Sequence, residues 1–363
     1  MQLTVVVGAR PHVVKVSPLL PALERAGIGV DVAFTGSRST EHPEDSGASM
    51  SFYGLEIEAP RWFLDIGVGT DAVETGRAMM VFEDLFARER PDAVLVVGDV
   101  NTTLAAGLSA VKSGIPVVHL GAGLRCGDLR VPEEINRVLI SRIAAMHLAP
   151  TERALENLED EGVEPERIHF VGSIGAESVF RHLEAIVDLS PAAEFELTTG
   201  EYVVAAFHRP ENLGDEARTL GILGGVARSP LPVLIADTHT LTAAADRFGQ
   251  TMPAAARIAD AVPYLTMLAL IRDAACVITD SSGVQEEACT IGTPCVTVRE
   301  CTELTVTLEG EANRLVYPDA EEIRAALVAA TGIRRGWNAP KRWDRAVSER
   351  VVRALKRGIT PLQ

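Results

Sequence analysis

Residues 93–121 read AVLVVGDVNTTLAAGLSAVKSGIPVVHLG: an uncharged β-branched run, a short turn, a helical pattern, then a second β-branched run. Strand, helix and strand at this spacing make a parallel βαβ unit, because parallel neighbours need a long crossover and a helix supplies it. The alternation continues outward through LTVVVGA and VDVAFTG on one side and YVVAAFH, PVLIADT, ACVITDS and PCVTVRE on the other. Apolar residues at consecutive positions within the runs place helices on both sheet faces. The expectation is an α/β chain with an open doubly wound sheet, built twice.

A length of 363 residues exceeds one ordinary core and favours two domains. The seam is expected near IHFVGS (168–173), before the turn-rich EAIVDLSPAAEFELTTGE, giving domains 1–172 and 173–346. RWDRAVSERVVRALKR near the end has amphipathic helical spacing and closes on basic residues that suit a helix C-terminus. Two facing α/β halves are expected to hold a ligand at the C-terminal ends of their strands.

Composition excludes several classes. A formal charge of −16 disfavours nucleic acid, whose binding rests on phosphate neutralisation by a basic face. No apolar window of about eighteen residues reads as a membrane span. MQLTVVVGARP lacks the basic region and cleavage site of a signal peptide, so a cytoplasmic location is expected. The five cysteines form no C-x-x-C pair, which suggests neither a disulfide framework nor a thiolate zinc site; no metal is expected.

Five stretches are candidates for chemistry, each with a plainer alternative. GARPHVVKVSPLL has one glycine where a dinucleotide fingerprint needs three. It offers Arg10 and Lys15 at a helix head, either an anion site or two surface cations. Asp99 closes a strand in VVGDVNTTLAAG, and Asn101, Thr102 and Thr103 read as N-caps. In VPEEINRVLISRIAAM, Pro132 and the two following glutamates suit a helix start, and Glu133 is carried toward the same strand ends by the glycine loop. His208 and Arg209 follow a strand in VVAAFHRPENLG; a lone histidine is more often simply packed or solvated. In VITDSSGVQEEACTIGTP, Ser281, Ser282 and Gly283 let a phosphate approach a helix N-terminus, and Glu287 lies one turn further along.

Taken in order, GARPHVVK, GDVNTT, HLGAGLRCGD, PEEINR, FHRPEN and DSSGVQEEA resemble the bacterial non-hydrolysing UDP-N-acetylglucosamine 2-epimerase family, from about Gly8 to about Val316. The resemblance implies a GT-B fold of two Rossmann-like domains, with a C-terminal helix (347–363) packing back on the first. It implies a homodimer, no cofactor, and interconversion of UDP-GlcNAc and UDP-ManNAc through 2-acetamidoglucal, by elimination and re-addition of UDP. By motif match, Arg10, Lys15, Ser281, Ser282 and Gly283 bind the diphosphate and Glu287 the ribose. Asp99, Glu133 and His208 serve the reacting centre, with Arg137 and Arg209 as further substrate-binding residues.

The sequence departs from that pattern at four places. The family's H-x-E-A-G-L-R loop has Gly121 where its glutamate stands, and losing a positioned acid or base costs about 10²–10⁴ in rate. Asp99, Glu133 or His12, where the family has Glu, are candidates to compensate. FTGSRS carries Ser37 and Arg38 in place of the segment that binds an activating UDP-GlcNAc, so no such activation is expected. TELTV at 302–306 lacks the arginine of T-E-R-P-E. Alternatives are an enzyme that stops at elimination or hydrolysis or takes a modified UDP-sugar, a GT-B glycosyltransferase, and a non-catalytic UDP-sugar binder.

Overall fold

The β-branched runs are strands, most of them buried along nearly their whole length, as strands covered on both faces must be. The computed structural model describes residues 1–8, 10–36, 49–52, 55–58, 60–237, 239–260, 262–333 and 339–359. Ser37 and Arg38 lie outside them, as does the Arg10 side chain. The chain divides into two compact units, Met1–Ser178 with Lys341–Gln363, and Val179–Pro340.

Among the described residues the first unit has nine strands: β1 (Gln2–Val7), β2 (Gly29–Phe34), β3 (Ser49–Phe52), β4 (Leu55–Glu58), β5 (Trp62–Phe63), β6 (Ala93–Val97), β7 (Val117–Leu120), β8 (Met146–Ala149) and β9 (Ile168–Phe170). Seven form a parallel sheet in the order β5-β2-β1-β6-β7-β8-β9, while β3 and β4 pair as an antiparallel hairpin. Its helices are α1 (Arg10–Val16), α2 (Leu19–Arg25), α3 (Asp71–Glu89), α4 (Asn101–Lys112), α5 (Pro132–Ile143), α6 (Glu152–Asp160) and the start of α7 (Ile174–His182). Val94, Val96, Phe82, Phe86, Ala105 and Ile140 share one core between the sheet and helices α3 to α5. Strand order reverses between β1 and β6, and in such sheets ligands bind at that switch point.

The second unit carries β10 (Val203–Ala206), β11 (Val233–Asp237), β12 (Ala256–Asp260), β13 (Cys276–Thr279), β14 (Cys295–Val298) and β15 (Asn313–Val316). They pair in parallel in the order β12-β11-β10-β13-β14-β15, so the switch lies between β10 and β13. Helices α8 (Pro210–Leu213), α9 (Glu216–Ala227), α10 (Thr240–Arg247), α11 (Tyr264–Asp273), α12 (Ser282–Ile291) and α13 (Ala320–Thr331) connect them. The expected doubly wound parallel sheet is thus present twice.

The basic amphipathic pattern near the end forms α14 (Val347–Arg357), which packs on α2. Its first turn is fastened by Glu177, which accepts from the Ser348 backbone N–H at 2.5 Å and hydroxyl at 2.7 Å. Upstream, Gly172 has φ +92°, and a Cβ there would lie 2.0 Å from the Arg342 carbonyl oxygen, so only glycine lets this segment dock. Trp343 is buried beside it. Among the described residues no helix is long and apolar enough to cross a membrane, and no group of three His, Cys, Asp or Glu is arranged to hold a metal.

Candidate active site

At the switch point of the first unit, β6 is followed by Gly98 and Asp99. Asp99 keeps 24% of its side chain exposed, and its Oδ2 accepts from Arg137 Nε at 2.6 Å. Arg137 lies on α5, its side chain only 2% exposed, and its Nη1 donates to Glu134 Oε2, also at 2.6 Å. Glu134 in turn accepts from the backbone N–H groups of Cys126 at 3.1 Å and Gly127 at 2.9 Å, both in the glycine loop. Burial alone would raise the Glu134 pKa; those two N–H groups, with Arg137, outweigh it and hold the carboxyl below the usual range. A largely buried ion triad of this kind fixes geometry more than it adds stability.

Asparagines extend the arrangement. Asn136 Nδ2 donates to the Asp99 carbonyl at 2.8 Å and to Asn101 Oδ1 at 3.1 Å. Asn101 donates to Asp71 and Glu74 on α3. The N-cap of α4 is Val100, with no side-chain capping bond, so the expected caps have other duties. Thr103 Oγ1 donates to the Val97 carbonyl and Thr102 accepts from Thr35. Glu133 sits partly exposed in the first turn of α5, and Lys15 is partly exposed on α1, whose first residue is Arg10.

Two buried imidazoles flank Asp99. His12 packs where a side chain on Gly98 would sit, and burial, helped by Lys15 and opposed by Asp99, lowers its pKa to about 4. His119 donates from Nε2 to the Gly98 carbonyl at 2.8 Å; burial likewise lowers it to about 4. Both are neutral at pH 7. Gly121 follows β7 with φ +88°, and a Cβ there would meet only the Gly98 nitrogen, at 4.0 Å. The place of the absent acid is open beside the residue preceding Asp99.

In the second unit, Asp280 is fully buried at the end of β13. It accepts from the backbone N–H groups of His208 at 3.0 Å and Arg209 at 3.2 Å and from Asn212 Nδ2 at 3.1 Å, binding the loop after β10 to that after β13. His208 Nδ1 stands 3.6 Å from Asp280 Oδ1 with 54% of the side chain exposed. Surrounding protein lowers the His208 pKa and Asp280 opposes this; the exposure lets water limit the effect. Arg209 is buried and donates to the Asp280 carbonyl, Glu211 and Ser282 Oγ. Ser281 caps α12 through the Val284 N–H, a Cβ on Gly283 would meet Ser281 Oγ at 3.7 Å, and Glu287 is partly exposed one turn on.

Sequence reasoning missed three charged residues of these networks. Glu134 lies three residues from Arg137 and Glu133 four, both same-face helical spacings, so the sequence marks a carboxylate partner for Arg137 without separating the two glutamates. Arg299 and Glu303 form a buried pair at 2.9 Å, and both bind Ser282 Oγ. They follow β14 in an irregular segment where no periodicity could reveal them. Leu304, at the position of the family's arginine, is buried.

Comparison with known proteins gives the arrangement a context. Residues 22–356 match the family described as UDP-N-acetylglucosamine 2-epimerase. The UDP-N-acetylglucosamine 2-epimerase of Methanocaldococcus jannaschii is 33% identical over 99% of this chain and all of that protein. The UDP-2,3-diacetamido-2,3-dideoxy-D-glucuronate 2-epimerase of Pseudomonas aeruginosa is 34% identical over 87% of this chain and 88% of that one. The crystal structure of the M. jannaschii UDP-GlcNAc 2-epimerase with UDP-GlcNAc and UDP superposes with a TM-score of 0.90, at 33% identity, covering 99% of this chain and 100% of that one. With both sheets, their switch points and the ordered motifs accounted for, the chain belongs to the UDP-N-acetylglucosamine 2-epimerase family and has its GT-B fold.

Proposed function

We propose that the protein is an isomerase that inverts C2 of UDP-GlcNAc to give UDP-ManNAc. A base removes the C2 proton and the C1–O bond breaks, its electron pair leaving with the UDP β-phosphate oxygen as C1=C2 forms in 2-acetamidoglucal. UDP then returns to C1 while a proton is delivered to the opposite face of C2, so atoms and charge balance without an added reactant. The observation that carries this reading is the family match across residues 22–356.

Asp99, Glu133 and His208 would move protons at the reacting carbons. Support comes from the Asp99 carboxylate, part exposed at a switch point and bonded to Arg137. Arg10, Lys15, Ser281, Ser282 and Gly283 would hold the diphosphate, Glu287 the ribose, and Arg137 and Arg209 would order the groups around them. The family resemblance supports a cytoplasmic homodimer without a cofactor.

Proton NMR of UDP-GlcNAc with the enzyme in D₂O tests this: deuterated UDP-ManNAc is expected. UDP release without a new epimer would instead mark an eliminating or hydrolysing enzyme. A second reading, epimerisation of a further modified UDP-sugar, is favoured by the equal likeness to the P. aeruginosa enzyme and the open space at Gly121. Faster exchange at C2 of UDP-2,3-diacetamido-2,3-dideoxy-D-glucuronate than of UDP-GlcNAc would select it.

A further inference from the structure

We infer that Glu134 is a positioning residue for Asp99, acting through Arg137; the inference rests on the reading of Asp99 as a group serving C2. Both bonds of the relay are 2.6 Å, and the carboxylate and guanidinium of its buried end are almost fully withdrawn from solvent. A guanidinium is rigid and forked, so fixing Nη1 against one carboxylate fixes the direction in which Nε points at the other. Arg137 could not be aimed this way by Asp99 alone, which closes a turn and remains part exposed. Glu134 is itself immobilised by the N–H groups of Cys126 and Gly127. One buried carboxylate therefore couples the glycine loop to the orientation of the acid one strand away. With a glycine in place of the loop glutamate, the rate depends all the more on how well the remaining carboxylate is held.

Glu133, four residues before Arg137, lies on the same side of the helix but is only partly buried, whereas Glu134 is buried and makes the 2.6 Å bond to Arg137 and the two bonds to the glycine loop. The two adjacent glutamates thus differ in burial, and the buried one is committed to the scaffold.

The test uses the full chain with Glu134→Gln, which keeps the shape and removes the charge. With arginine labelled in ¹⁵N, the Arg137 Nε–H, assigned by its loss in Arg137→Lys, is expected to exchange slowly in the unaltered protein and at least tenfold faster in Glu134→Gln. In turnover, Glu134→Gln is expected to lower kcat by about 10- to 100-fold, the scale of a small misplacement of a reacting group, with KM within about threefold. The double variant Glu134→Gln/Arg137→Lys should be no slower than the slower single variant, because residues acting as one unit are not additive. A thermal shift with UDP confirms that each variant is folded. An Arg137 Nε–H as protected as before, an unchanged kcat in an active enzyme, or multiplicative losses in the double variant would each overturn the relay. Wild-type protein without C2 exchange would bring down the epimerase reading instead, while the exchange of Arg137 still decides whether Glu134 holds it.

Discussion

The Gly98 carbonyl accepts from His119 Nε2 at 2.8 Å, tying the end of β6 to β7 one residue before Asp99. The bond requires the proton on Nε2 and suits a neutral ring. His147 lies beside His119 on β8 in direct register, donating from Nε2 to the Ser141 carbonyl; burial and the His119 charge push its pKa down to about 3.

Acid should therefore weaken the first unit. His12, His119 and His147 are held neutral by the fold, with pKa values of about 4, 4 and 3, and take up protons near pH 6.5 when unfolded. A depressed histidine pKa costs no stability above the unfolded value. As pH falls below about 6.5 the unfolded chain binds protons first, and stability drops until the folded pKa is reached. Each ring should cost about 1 kcal/mol by pH ~5.5. Urea unfolding at pH ~7.5 and ~5.5 measures this, and His147→Gln should reduce the difference.

Restoring the family's acid at Gly121 separates strain from chemistry. With φ +88° any side chain there is strained, costing about 1–3 kcal/mol, although space for a Cβ exists. Gly121→Glu should therefore lower the unfolding midpoint but raise the rate of C2 exchange in D₂O, while Gly121→Gln lowers the midpoint equally without the gain.

Asp99→Asn keeps the size of the side chain and removes the base. Deuterium incorporation at C2 should fall by about 10²–10⁴-fold. UDP should still stabilise the variant in a thermal shift, since the residues proposed for the diphosphate and ribose are largely others.

Breaking the Arg299–Glu303 pair tests the second unit. Both side chains are buried, 3% and 5% exposed, so Glu303→Ala leaves an uncompensated guanidinium. The expected loss is about 3–5 kcal/mol by denaturant unfolding. Weaker UDP binding should accompany it, because Ser282 loses a partner at the start of α12.

Much of the fold was legible because buried parallel strands announce themselves as unbroken β-branched runs, as in Ala93–Val97 and Cys276–Thr279. Shorter or more polar strands gave weaker signals. Met146–Ala149 contains a histidine, Ile168–Phe170 is three residues long at a sheet edge, and Ala256–Asp260 carries two charges. Within the site, sequence reasoning reached the residues that end strands, such as Asp99 and His208. It missed Glu134, Arg299 and Glu303, which reach across to other segments, Glu134 to the N–H groups of Cys126 and Gly127 and the other two to Ser282.

The fastening of Ser348 to Glu177 and of Arg342 over Gly172 also sets an order of events during synthesis. The strand order of the first unit is complete by Phe170, yet the helix that covers α2 is made only after the whole of Val179–Pro340. Chains emerge at about 5–20 residues per second and domains fold as units. The second unit can thus mature on the ribosome while the first still waits for its final helix with an apolar face uncovered. Nascent chains stalled before Ala346 should be the form that chaperones bind most and proteases cut first.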